Sequence, residues 1–153
     1  MIVWSAISLL PDADVIAFRL GIPYGAPFGH RGASHSLAFA AAMGLVAFLV
    51  ARASGLPVLR STLLVAAVVA SHGLLDTLTD GGRGCALLWP FSNRRFFAPW
   101  RPLPVAPIGR GFFSLEGLRV AAVEVVIFSV PFVYGLWPSR AASQDRRNTR
   151  VAR

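Results

Sequence analysis

The apolar run Leu63-Leu64-Val65-Ala66-Ala67-Val68-Val69-Ala70 continues without a change of period into Ser71-His72-Gly73-Leu74-Leu75-Asp76-Thr77-Leu78-Thr79-Asp80. No other stretch limits the possible folds as sharply. A segment apolar enough for a bilayer here carries two ionisable groups, which are costly in hydrocarbon and so usually functional. Their spacing of four puts His72 and Asp76 on one helical face, about one turn apart. An imidazole and a carboxylate so placed are a natural pair of ligands for a divalent metal. The blander reading, a structural polar pair, still requires both groups to find partners inside an apolar helix.

Composition supports a membrane setting. The 153 residues are 55% hydrophobic and only 14% charged, against about 25% charged in soluble domains. The length suits one domain. All the basic charge is arginine, with a formal excess of +8. No aromatic-basic nucleic-acid motif accompanies it, so nucleic acid is not an expected partner. Arg140, Arg146, Arg147, Arg150 and Arg153 make the C-terminal end basic, as expected of a cytoplasmic tail facing anionic lipid. Cys85, the single cysteine, excludes an intrachain disulfide and a cysteine-rich zinc site. It reads as a loop thiol without a role.

Along the chain the pattern predicts an all-α, multi-pass membrane bundle of three full spans plus a partial first helix. Met1–Leu10 is helical but too short to span. It has neither a positive leading region nor a cleavage site, so it does not read as a signal peptide. It reads as the end of a helix whose beginning is missing. Residues 19–33 are a Gly/Pro loop. Ser34 is the expected N-cap of a helix to about Ala53, long enough for the hydrocarbon layer. Ser54-Gly55-Leu56-Pro57 turns the chain into a helix from Val58 to Thr79, which Gly81-Gly82 ends. Residues 81–113 read as an irregular loop lying at the membrane interface, with aromatics and arginines at headgroup depth. The last helix runs from Ser114 to Trp137, with Pro131 a kink. These elements divide the chain into a membrane-embedded domain, 1–137, and a basic disordered tail, 138–153.

Helices joined by short turns run antiparallel, so their ends alternate sides. Asp12 and Asp14 then close the first helix, and His30, Arg31 and His35 precede the second. His72, Asp76 and Asp80 lie near the end of the third, and Glu116 opens the fourth. All fall on one side of the membrane. Arg52, Arg60 and the tail lie opposite and pull that face toward the cytoplasm. Arg19, Arg31, Arg83, Arg94, Arg95, Arg101 and Arg110 pull the other way. If several of these serve the site, the tail decides and the site faces away from the cytoplasm.

Each motif also has a structural reading. Pro11-Asp12-Ala13-Asp14 suits a turn as well as a metal. His30-Arg31-Gly32-Ala33-Ser34-His35-Ser36 brings two imidazoles to a helix start. In Pro90-Phe91-Ser92-Asn93-Arg94-Arg95-Phe96 the arginines could bind phosphate or form a basic-aromatic interface. Glu116 and Glu124 could be ligands, a general base or polar contacts within the bundle.

Taken together, Pro11-Asp12-Ala13-Asp14, His30 through Ser36, Ser71 through Thr79, and Trp89-Pro90-Phe91-Ser92 through Arg95-Phe96 resemble the YdjM-like family. Its members are bacterial inner-membrane proteins described as metal-dependent hydrolases, some under LexA control. The resemblance covers roughly residues 5–97. It implies Asp12, Asp14, His30, His35, His72 and Asp76 as metal ligands, with Arg31 and Arg95 as substrate or structural partners. The family begins with a helix bearing an early Thr-His, and this sequence has no histidine before His30. The expectation is an N-terminal truncation or a missing ligand. Where the family often has Thr in the second motif, Ser34 keeps the hydroxyl.

The expected function is metal-assisted hydrolysis in the bacterial inner membrane. A divalent ion, zinc first and manganese or iron as alternatives, would activate water. Asp14 or Glu116 would accept the proton, and Arg94 or Arg95 would hold an anionic headgroup. A phosphoester or other amphiphilic, lipid-like substrate suits the depth of the site. The rival readings are a non-catalytic membrane protein with a structural metal or polar network, and a small-solute transporter. Against the latter stand the lack of an internal repeat and the gathering of polar groups at one end.

Overall fold

The computed structural model describes residues 2–107 and 109–136. The order is α1 (Ile2–Ser8), a 3-10 turn (Pro11–Val15), α2 (Ile16–Arg19), a 3-10 turn (Ala33–His35), α3 (Leu37–Ser54), α4 (Val58–Thr77), a 3-10 turn (Gly109–Phe113) and α5 (Leu115–Leu136). Among the described residues there is no strand, only isolated bridges between Thr79 and Leu103 and between Cys85 and Phe96. The chain forms two compact units, Met1–Val105 and Ala106–Arg153. The expected tail, 138–153, lies outside the described residues.

The first unit is built on the hairpin of α3 and α4. Their mean hydropathies are 1.9 and 1.7, and at about 1.5 Å per residue they measure roughly 27 and 30 Å, a bilayer core's thickness. Only 17% of each apolar window is buried within the protein. Apolar faces turned outward suit lipid, whereas the core helix of a soluble protein would be covered. These two helices are long and apolar enough to cross a membrane. The third expected span falls on α5.

Small residues set the closeness of the hairpin. Ala40, Gly44 and Ala51 are buried on α3, and Val69, Gly73 and Thr77 on α4. A Cβ on Gly44 would stand 3.0 Å from that of Ala66, so the backbones approach as helices in lipid do when small residues line the seam. Gly73 is tighter still, because a Cβ there would overlap the His35 carbonyl oxygen. This contact sets α4 against the turn that carries His35. Gly73→Ala is therefore expected to destabilise the fold by about 1–3 kcal/mol, the usual range for overpacking. Denaturant unfolding in detergent would check this, and an unchanged midpoint would contradict the contact.

The helix ends differ in detail from the sequence reading. Ser36, not Ser34, caps α3, accepting from the Phe39 N–H at 3.0 Å and donating to the Ala33 carbonyl at 2.7 Å. Ser34 is engaged elsewhere, as described below. Gly55, at φ 69°, closes the other end. Helix α4 stops at Thr77 rather than Thr79. There Leu78 N–H reaches back to Leu75 at 2.9 Å, and the Thr79 hydroxyl to the Asp76 carbonyl at 2.8 Å. Those shorter-range bonds tighten the last turn before either glycine is reached.

Residues 78–105 fold over the site end of the hairpin. Ala98 N–H bonds Thr77 at 2.8 Å, Leu103 N–H bonds Leu78 at 3.2 Å, and Leu37 N–H bonds Leu87 at 3.0 Å. In the second unit Ser114 caps α5, its hydroxyl accepting from Gly117 N–H at 3.3 Å.

Candidate metal centre

Four backbone features bring the polar residues together. The 3-10 turn opened by Pro11 presents Asp12 and Asp14 to either side of the His35 ring. Arg31 adopts a left-handed backbone at φ 59°, uncommon for a residue with a Cβ and typical of functional turns. The second 3-10 turn, Ala33–His35, delivers His35 beside Gly73. The final turns of α4 supply His72 and Asp76 from one face.

His35 is the hub. Its side chain is fully buried, with Nε2 3.2 Å from Asp76 Oδ2 and 3.4 Å from Asp12 Oδ1. His72 Nε2 lies 3.3 Å from the same Asp12 oxygen and 4.0 Å from Asp76 Oδ2. Both imidazole nitrogens are buried without a hydrogen-bond partner, although a buried polar nitrogen without one is expensive. Ligands about 2.0–2.2 Å from a tetrahedral ion stand roughly 3.3–3.6 Å apart, which is close to the spacing seen here. One ligand atom from each of Asp12, His35, His72 and Asp76 falls within 4.8 Å of the others. The donor set of two imidazoles and two carboxylates fits a divalent metal.

Asp14 takes a different place. Its Oδ1 meets His30 Nδ1 at 2.6 Å, and its Oδ2 accepts from Arg31 N–H at 3.0 Å and the Ser34 hydroxyl at 2.6 Å. His35 Nδ1 lies 3.1 Å from the same Oδ2. A carboxylate on Nδ1 fixes the imidazole tautomer and frees Nε2 for a ligand role. Asp14 thus positions His35, and His30 braces Asp14. Asp12, Asp14 and His30 also form a second group of donors within 4.8 Å, but the Asp14 oxygens are already occupied by these hydrogen bonds.

The electrostatics follow from this packing. Burial resists the charge on Asp14, yet His30, His35 and Ser34 outweigh it and hold the carboxyl well below its usual range. Asp12 is lowered too, against burial, by His35 and His72. Burial opposes a charge on His35, but Asp12, Asp14 and Asp76 overcome it and raise the imidazole to about 10. Three carboxylates around one buried ring thus favour its protonated form.

Both resemblance-implied arginines are held internally. Arg31 Nε lies 3.0 Å from Asp76 Oδ2, and its Nη1 donates to the Thr79 hydroxyl at 2.7 Å. Arg95 donates to five backbone carbonyls, those of His30, Arg31, Gly84, Tyr24 and Ala26, at 2.9–3.3 Å. It pins the histidine-bearing loop to residues 84–95, and its donors are directed at the protein rather than at a substrate. Glu116 stands on the first turn of α5 in the second unit, exposed and 3.8 Å from Arg119.

The family described as YdjM inner membrane protein matches residues 1–142. The chain belongs to that family. It is similar to inner membrane protein YbcI of Escherichia coli (strain K12), at 46% identity over 129 residues, covering 82% of this chain and 73% of that one. No solved structure matches it. Inner-membrane residence follows from YdjM family membership and accords with the two apolar helices.

Three residues that join this cluster escaped the sequence reading. Ser34, read as a helix cap, instead bonds Asp14, and its neighbour His35 was the available clue. Thr79 receives Arg31, one turn beyond Asp76. Cys85 is fully buried with its sulfur 4.0 Å from Asp76 Oδ2, and burial together with Asp76 pushes the thiol up to about 12. It is a neutral wall of the site rather than a loop thiol, and no local pattern signalled this.

Proposed function

We propose that the chain is a metal-dependent hydrolase of the inner membrane, with α5 as a third span in addition to α3 and α4. The observation that carries this reading is the pair of buried nitrogens, His35 Nε2 and His72 Nε2, which make no well-aligned hydrogen bond and converge with carboxylates of Asp12 and Asp76. A divalent ion held there would supply Lewis acidity and a water acidic enough to attack at neutral pH. His35, His72 and Asp76 form the inner wall, and Arg31 neutralises part of the Asp76 charge and fixes its orientation. Asp12 is the way in, with a side chain 40% exposed where Asp76 is 17%. Exposed at that edge, Asp12 is placed to take a proton from attacking water. His72 and Asp76 stand in the last two turns of α4, an apolar helix of bilayer length, and a site at that end would suit an amphiphilic ester or phosphoester.

The same distances support a second reading. If Asp12 is a permanent fourth ligand, the shell is closed, as in structural zinc sites. Asp12→Ala separates the two. As an enzyme, the variant keeps its metal on three ligands but loses hydrolysis of a generic phosphodiester by about 10²-fold or more, the range for general acid-base groups. As a structural site, it loses its metal and the wild type has no hydrolytic activity. Metal-loaded wild type that cleaves neither a phosphodiester nor a carboxylic ester would overturn the hydrolase reading.

A further inference from the structure

Between Gly81 and Val105 the sequence has four arginines and no acidic residue. Arg95 is consumed internally; Arg83, Arg94 and Arg101 are exposed. Each of the three lies over an aromatic ring, Arg83 over Tyr24 at 5.9 Å, Arg94 over Phe96 at 5.6 Å and Arg101 over Phe97 at 4.9 Å. A cation–π contact of this kind steadies a guanidinium without using its N–H donors, which stay available to an oxyanion. None of the three has a carboxylate partner among the described residues. Beside them Phe91 is 93% and Trp100 73% exposed, large apolar surfaces that are out of place in water. The loop carrying them is bonded to the ends of α3 and α4, so it lies where those helices leave the bilayer.

We propose that Arg83, Arg94 and Arg101 form a rim that binds the phosphate of anionic phospholipid headgroups, with Phe91 and Trp100 set into the acyl boundary beneath. A run of uncompensated cations at the bilayer surface meets complementary charge in anionic lipid and none in a zwitterionic leaflet. Exposed aromatics alternating with the arginines favour a lipid-borne phosphate over a free one, since a free anion offers nothing for Phe91 or Trp100 to contact. The rim does not depend on the metal centre, because none of its side chains touches Asp12, His35, His72 or Asp76.

The test is native mass spectrometry of the full chain released from detergent, with dioctanoyl-phosphatidylglycerol and dioctanoyl-phosphatidylcholine as probes. The glycerol lipid is expected to bind at least about tenfold more tightly, equally in metal-loaded and chelator-treated protein. The variant with Arg83→Gln, Arg94→Gln and Arg101→Gln should lose that preference while keeping its metal content. In wild type alone, raising the ionic strength should weaken the glycerol lipid and leave the choline lipid unchanged, a readout independent of whether the variant folds. Equal binding of the two lipids, a preference that survives the triple substitution, or displacement by millimolar inorganic phosphate would each overturn the proposal. Loss of the preference on chelation alone would assign the lipid to the centre instead of the rim.

Discussion

His72→Ala and His35→Ala are expected to strip the protein of a divalent metal that the wild type carries near one equivalent. Each removes one of four converging donors, and His35 is the more severe because its ring touches three carboxylates. Even outer partners of a ligand typically cost about 10–100-fold in metal affinity, so loss of the ligand itself should cost at least about 100-fold. Asp14→Asn should fall within that outer-partner range. It preserves shape but replaces an acceptor that His30, His35, Ser34 and the Arg31 N–H all use. The pH dependence has a definite sign. With His35 raised to about 10, metal entry at neutral pH must displace its proton. Apparent affinity should therefore climb as pH rises from 6 to 8, with proton release visible as a buffer-dependent heat. Elemental analysis after equilibration with zinc reads the first effect and titration calorimetry the second. A well-folded wild type that takes up no metal would rule out the centre, as would histidine variants that bind like wild type.

Much of this arrangement is legible in the sequence because it rests on local rules. Apolar runs of bilayer length identify α3 and α4, and the spacing of four sets His72 beside Asp76. Antiparallel parity then predicts that Asp12, Asp14, His30 and His35 meet that pair at one end, as they do in the first unit. The division of labour among those residues is not local. Asp12 and Asp14 are two residues apart in one turn, and only the position of the His35 ring between them makes one a candidate ligand and the other its brace. Arg95 looks like a phosphate binder within Arg94-Arg95 until five carbonyls from distant turns converge on it. Ser34 and Ser36 are equally good caps by sequence, and the nearby Asp14 decides between them. Helix ends shift for a related reason. The Thr77 and Thr79 hydroxyls return to the α4 backbone, which a breaker rule based on Gly81-Gly82 does not anticipate.

Asp76→Ala should be the most damaging single substitution to the fold itself, and the metal should not account for it. Asp76 does two jobs with one carboxylate. Oδ2 faces His35 at 3.2 Å and Arg31 Nε at 3.0 Å, and Oδ1 accepts from Arg31 Nη2 at 3.4 Å. The Arg31 side chain is only 6% exposed, so truncating Asp76 leaves a guanidinium buried with the Thr79 hydroxyl and the Gly81 carbonyl as its remaining partners. Breaking a buried ion pair on one side costs about 3–5 kcal/mol, a large share of the roughly 5–15 kcal/mol that holds a domain together. His72→Ala provides the control. Its Nε2 has no hydrogen-bond partner, so its removal should cost metal affinity but little stability in chelator-treated protein. Unfolding each variant with and without chelator separates the two roles. Asp76→Ala should unfold more easily in both conditions, and His72→Ala only where metal would otherwise stabilise the wild type. Equal stability of the two variants in chelator would show that Arg31 does not depend on Asp76. Asp76→Asn refines the test, since its amide oxygen can still accept from Arg31 while the negative charge is gone. It should recover part of the stability lost in Asp76→Ala and remain a poor metal binder.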